Sequence, residues 1–257
     1  MRKFNRFTYL LLAALVFIVG CGKKATISED GKPVITVACE PTFPPFEMID
    51  EQSGEIIGFD IDLIKAIAAE AGYAVQIQNL GFDGLIAALH TGSIDVIASG
   101  MTITEERAKQ VAFTNPYIDA GISVAIGADS TEFTTLEQLK GKKVAVQIGT
   151  SGAEAAEKLG AEIGGYAKLT NYESISLAFQ ELANGTVDAV INDTPVNQAF
   201  AARYPGKIKF LGEPLNSETY GFAVNLEDVE LLEALNAGLE KVKASGQYDT
   251  IADKYFK

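Results

Sequence analysis

The chain has 257 residues, 47% of them hydrophobic, and a formal net charge of −13. That length accommodates one large domain or two small ones, and so acidic a surface argues against nucleic acid as a partner. With a single histidine, two cysteines and no His/Cys/Asp/Glu group at ligand spacing, no metal site, cofactor or histidine-based catalysis is expected.

Residues 1–20 read as an export signal. Arg2, Lys3 and Arg6 form a basic n-region, and 7–19 is an almost wholly apolar stretch short for a spanning helix. Ile18-Val19-Gly20-Cys21 has the form of a lipoprotein cleavage box. Cys21 is therefore expected to become the acylated N-terminus, held at the membrane by burial of its lipid methylenes; an uncleaved anchor is the rival. Residues 21–33, including KKATISEDGK, read as a polar, flexible tether. With Cys21 lipidated, Cys39 has no partner in the chain, so no internal disulfide is expected and Cys39 reads as a packed small residue at a strand end.

Short strands are expected at 34–38, 73–78, 94–98, 121–126, 143–147, 187–191 and 220–224, where the sequence is wholly apolar or alternates. Asp60 is placed to N-cap a helix whose Ile64, Ile67, Ala68 and Ala71 share a stripe, and Gly72 ends it. Asp83 is placed to cap a second, with Leu85, Ile86 and Leu89 inward and Gly92 just past its end. Thr134 or Thr135 precedes a short helix closed by Gly141. Helices at 153–159, 172–183, 193–203 and 226–244 follow, the last with Leu231, Leu235, Leu239 and Val242 in phase. Strands alternating with helices of this length imply βαβ units and mostly parallel sheets. NPYIDAG at 115–121 and SETYGF at 217–222 interrupt the pattern. Lobe 1 is therefore expected to comprise 34–118 and 220–257, with lobe 2, 119–219, inserted into it through two crossovers suited to hinge closure.

One pattern recurs. GSIDVIASGMTITEER at 92–107 begins like NGTVDAVIND at 184–193: glycine, a small hydroxyl, a β-branched residue, aspartate, then an apolar run. Each run should end at a strand's C-terminal edge, where open α/β sheets bind ligands. The first copy ends in a cation, Arg107, and the second in an anion, Asp193; a zwitterion would satisfy both. Asp193 could equally N-cap the helix that follows. Gly149-Thr150-Ser151-Gly152 precedes a helix whose free amides form an anion site, without the lysine–serine pair of a phosphate loop. His90 and Glu105-Glu106 read as solvated helix ends.

Several separated motifs then point one way: EPTFPPFE (40–47), GFDIDL (58–63), SGMTITEER (99–107), GKKVAVQIGTSG (141–152), DAVINDTP (188–195) and SGQYDTIADKYF (245–256). Over residues 33–256 the chain resembles the family 3 solute-binding proteins, extracytoplasmic polar-amino-acid receptors of ABC importers, and within them the arginine-binding branch. The resemblance implies a two-lobed α/β fold of the periplasmic-binding-protein type. It also implies a monomer that binds a free L-amino acid between its lobes and docks on a membrane permease. Residue by residue, it implies that Arg107 grips the ligand α-carboxylate, helped by the Thr102 and Ser151 amides beside Ser99 and Thr150. Asp193, the Gly100 carbonyl and the Thr102 hydroxyl would take the α-ammonium. Phe43 and Phe82 would wall the ligand side chain, with Glu40 at its far end facing Gln147.

An acid between two rings favours a cationic head, hence arginine or another basic amino acid. Glutamine or a polar neutral ligand stays open, since Asn192 stands where some family members carry histidine. An enzyme on the same fold, with Glu40 and Asp193 as acid and base, and a sensor needing a partner chain are the rivals of a transport receptor. The intact Arg107–Thr102–Asp193 set favours binding over turnover.

Overall fold

The computed structural model describes residues 26–257, so the expected leader and the lipidation site Cys21 lie outside the described residues. The described part of the tether is not structureless. Ser28 and Lys32 close a tight turn, the Val34 N–H donates to the Thr26 carbonyl, and Ile27 bridges Pro33. A turn-forming glycine, Gly31, with φ 80° supplies the reversal that a polar composition alone did not reveal.

The fold is two-lobed α/β, as expected, with one five-stranded sheet in each lobe. The first sheet runs Ala74–Asn79, Val34–Cys39, Val96–Ile97, Ala223–Asn225, Val111–Phe113. The second runs Lys168–Tyr172, Lys143–Gln147, Ala189–Asp193, Ile122–Gly127, Ile208–Phe210. Both follow one plan: the first three strands are parallel and the last two joins antiparallel.

The sequence repeat has a mechanical cause. Its two copies feed the central strand of each sheet, and the shared aspartate does the same work in both. Asp95 Oδ2 accepts the Thr36 N–H at 2.7 Å, and Asp188 Oδ2 accepts the Lys143 N–H at 2.8 Å. The N–H groups of Asp95 and Asp188 donate back to the carbonyls of Thr36 and Lys143. Each carboxylate thus pairs a backbone amide of the neighbouring strand, Lys143 at its start and Thr36 two residues in, and pins the register of the two strands.

The chain passes between lobes through an antiparallel pair, Ile118–Ala120 with Glu218–Tyr220. The returning strand is also tied to the first lobe, because the Ile103 N–H donates to the Thr219 carbonyl and the Gly221 N–H to that of Met101. The run 220–224, expected as one strand, is therefore two. Glu218–Tyr220 serves the crossover and Ala223–Asn225 the first sheet. The sequence pattern also passed over Lys168–Tyr172 and Ile208–Phe210, which are short and partly polar, and the small meander Thr42–Phe43, Glu47–Ile49, Ile56–Ile57.

Two expected caps are corrected. Asp60 lies inside the helix Phe59–Glu70, fully buried. Its carboxylate turns to the core, accepting the Gly100 N–H at 2.9 Å and the Tyr117 hydroxyl at 2.6 Å. Asp83 sits within the 3₁₀ turn Phe82–Gly84 that leads into Leu85–His90, where no side chain caps the helix. Thr135 does cap its turn, Leu136–Leu139, in a box with Gln138. The helix expected at 153–159 is Ser151–Ile163, with Thr150 as its N-cap. The next begins at Ile175 rather than 172, because Tyr172 completes a strand. Asp193 is the N-cap residue of Thr194–Arg203, yet its side chain makes no capping bond. Val229–Ala244 starts after Asp228, which caps it through the Leu231 N–H, and Gln247–Phe256 closes the chain.

These two C-terminal helices pack on Phe59–Glu70. The approach is close at Gly238, where a Cβ would lie 2.5 Å from the Ile67 carbonyl oxygen. Alanine is the better helix former by about 1 kcal/mol, whereas forcing a methyl into a tight contact costs about 1–3 kcal/mol. Gly238→Ala is expected to lower the urea midpoint despite the propensity gain; an unchanged or higher midpoint would show that this helix pair has slack.

Candidate functional site

The C-terminal strand edges of the two sheets face each other beside the crossover. Phe43, Phe82, Gly100, Thr102 and Arg107 from one lobe, with Thr150, Ser151 and Asp193 from the other, line a small, narrow cavity between the lobes. All eight are residues singled out in the sequence. Glu40, Ser99 and Gln147 are not among its lining. Gly100 has φ 49°, and a Cβ there would fall 2.7 Å from the Phe43 ring; only glycine lets the main chain come this close.

Arg107 is carried on the short helix Glu105–Ala108, capped by Thr104. It is buried, and burial pulls its pKa below the usual guanidinium value against the opposing pull of Glu154, Asp193 and Glu218. Nη1 donates to the Thr102 carbonyl and Nη2 to the Gly149 carbonyl, both at 3.0 Å, so the guanidinium spans the lobes. Its carbon lies 5.4 Å from the centre of the Phe82 ring, a cation–π contact. Among the described residues, no ion pair neutralises Arg107.

Across the cavity, Asp193 ends the central strand of the second sheet. Burial pushes its pKa up to about 7, and the hydrogen bond from the Tyr220 hydroxyl is the main opposing influence. Thr150 spends its hydroxyl locally, accepting from the Ala153 N–H and donating to the Gln147 carbonyl. That leaves the first amides of Ser151–Ile163 without intrahelical partners, the usual state of a helix start.

The remaining expected residues meet next to this set. Gln147 Nε2 donates to Glu40 Oε2 at 3.0 Å across the lobes, and the Thr42 hydroxyl donates to the same oxygen at 2.7 Å. Burial raises the Glu40 pKa against both of these bonds. The Ser99 hydroxyl is engaged behind the cavity, accepting the Glu40 N–H and donating to Glu47. Gln147 Oε1 and both amide atoms of Asn192 are buried without a hydrogen-bond partner.

Sequence reasoning missed Glu47, Asp60, Tyr117, Glu218 and Tyr220. Glu47 and Asp60 are fully buried carboxyls whose pKa burial raises, that of Asp60 to about 7. Their one signal was the presence of acids inside otherwise apolar motifs. Glu218 and Tyr220 sit two apart in SETYGF, an alternation that puts both on one face of the crossing strand. His90 ends its helix exposed, with Nε2 at 2.8 Å from the Gln110 carbonyl oxygen. Cys39 is a buried free thiol at a strand end.

A sequence profile described as "Bacterial extracellular solute-binding proteins, family 3" matches residues 35–257. Among curated proteins, the chain is 37% identical to the "Putative ABC transporter arginine-binding protein 2" of Escherichia coli (strain K12), over 96% of this chain and 98% of that one. Among solved structures, it is similar to an ancestral arginine-binding protein bound to arginine, at 44% identity and a TM-score of 0.82, covering 87% of this chain and 98% of that one. An ancestral arginine-binding protein bound to glutamine matches almost as well, at 44% identity and TM-score 0.81, over 87% and 97%.

Asp193 gives the geometry a pH signature. Its folded pKa stands above the ordinary 3.8, so its contribution to stability is whole below about pH 4 and is lost as pH rises through about 7. A carboxyl-carbon NMR titration of the ligand-free protein is expected to give Asp193 a midpoint near 7. Tyr220→Phe, which removes a bond to the ionised form, should move that midpoint higher. A midpoint near 4 in both proteins would mean that Asp193 is solvated.

Proposed function

The chain belongs to family 3 of the bacterial extracellular solute-binding proteins, and from that premise we propose that it captures a free L-amino acid, arginine foremost, in the interlobe cavity for uptake by an ABC importer. One observation carries this reading: Arg107 and Asp193, of opposite sign and from separate lobes, border the same interlobe cavity without forming an ion pair. An amino acid brings the missing partner for each. Its carboxylate meets the guanidinium, a planar donor fork that lysine cannot copy, together with the free amides at the start of Ser151–Ile163. Its ammonium meets Asp193, the Gly100 carbonyl and the Thr102 hydroxyl.

For the side chain, Phe43 and Phe82 provide aromatic walls and Glu40 a carboxylate. The unpartnered Gln147 Oε1 adds a second buried acceptor. A guanidinium head, with five N–H donors, uses all of these. Charge-assisted bonds worth about 1.5–3 kcal/mol each need to leave a surplus of only about 8 kcal/mol for micromolar binding. Glutamine is the second reading, favoured by the similar ancestral protein solved with that ligand; its amide would satisfy Gln147 but leave Glu40 without a charge partner.

The wider setting belongs to the same proposal. The protein works outside the cytoplasm as a monomer, is tethered by lipid on Cys21, and delivers its ligand to a permease without chemical turnover.

A thermal-shift screen of the twenty amino acids tests this. A ligand at a hundred times its Kd stabilises the native state by about 2.7 kcal/mol, so arginine should raise the melting temperature most. Arg107→Ala should lose that response while melting near the unaltered protein when ligand-free. A response to glutamine alone would reverse the ligand order, and arginine binding by Arg107→Ala within tenfold of the unaltered protein would sink the pose.

A further inference from the structure

Glu218 lies on the crossing strand and was not anticipated from the sequence. Its Oε2 accepts the Thr102 hydroxyl at 2.8 Å and the Ser151 hydroxyl at 2.9 Å, one from each lobe. Its Oε1 accepts the side-chain amide of Asn216 at 2.7 Å. Thr102 and Ser151 both line the cavity, and their hydroxyl oxygens are 3.1 Å apart.

The proton count at this cluster decides its chemistry. A hydroxyl has one proton to donate and two lone pairs with which to accept, and a carboxylate only accepts. With both protons committed to Glu218, the Thr102–Ser151 contact has none left. Each hydroxyl therefore offers the cavity lone pairs alone. Tyr220, two residues along the same face, likewise commits its single proton to Asp193. The crossing strand thus removes every hydroxyl donor from this side of the cavity and leaves acceptors: Thr102 Oγ1, Ser151 Oγ and the Asp193 carboxylate.

We propose that Glu218 is a specificity-determining positioning residue, which makes the cavity select ligands bearing a protonated α-amine by holding the Thr102 and Ser151 hydroxyls as acceptors. The inference rests on the amino-acid-capture reading. It goes further by stating which group discriminates an α-ammonium carboxylate from a carboxylate that lacks the amine. Glu218 is not among the residues lining the cavity; it acts through the two hydroxyls. An ammonium supplies three donors to this acceptor cluster, whereas a methylene in its place leaves buried acceptors unpaired, the costly side of hydrogen-bond bookkeeping.

The test compares Kd for arginine with Kd for its des-amino analogue, by calorimetry and by competition, in the unaltered protein, Glu218→Gln and Glu218→Ala. A glutamine cannot accept from two hydroxyls and from Asn216 at once, because one end of its amide is a donor. Alanine frees both hydroxyls to donate into the cavity. In both variants arginine binding should weaken at least tenfold while des-amino binding changes less than threefold, so the ratio of the two Kd values falls tenfold or more. A smaller fall in that ratio overturns the inference, including the case in which both ligands weaken equally because Glu218 serves closure alone. Failure of the unaltered protein to bind any amino acid would instead overturn the capture reading, and is seen before a variant is made.

Discussion

Two opposite charges, buried on facing lobes at one cavity and kept apart from each other, are the constraint around which this structure is arranged. Burying an ion is expensive unless its hydrogen-bonding capacity is met. Arg107 meets part of that cost with two backbone carbonyls, one from each lobe, and with the face of Phe82. Asp193 meets part with Tyr220, and burial still pushes its pKa up to about 7. Each group is held in place yet electrostatically incomplete. A zwitterion completes both at once, and neither lobe can do so alone.

The crossover organises this site as well as joining the lobes. Glu218–Tyr220 pairs with Ile118–Ala120 and is tied through its backbone to Met101 and Ile103. From one face of that strand Tyr220 reaches Asp193, and Glu218 reaches Thr102 and Ser151. The segment that joins the lobes therefore touches groups that line the cavity. Behind it, Asp60 holds the Gly100 amide, and Ser99 links the Glu40 backbone to Glu47. These buried polar links fix the first-lobe loop against the core.

Much of this was legible in the sequence where one residue does one job. The repeated glycine–hydroxyl–β-branched–aspartate pattern marked the central strand of each sheet, and the charges closing its two copies come to one cavity. The α/β class followed from the alternation of strands and helices, and the two lobes from its interruption at 115–121 and 217–222 and from the family resemblance. Residues with two competing uses were harder. Asp60 at a helix start looks like a cap, but a 2.6 Å bond from Tyr117 and one from Gly100 outweigh that local role. Glu218 and Tyr220 act across more than twenty-five residues of sequence, and no periodicity encodes such partners. Lys168–Tyr172 and Ile208–Phe210 are outer strands whose mixed polarity reflects one open edge, so alternation is weak there.

The most direct measurement is a crystal structure of the protein with arginine bound. The ligand carboxylate is expected on the Arg107 guanidinium and the Ser151 amide, and its ammonium within hydrogen-bond distance of Asp193, the Gly100 carbonyl and the Thr102 hydroxyl. An ammonium facing away from Asp193, or a carboxylate that leaves Arg107 on its two carbonyls alone, would contradict the shared-zwitterion arrangement.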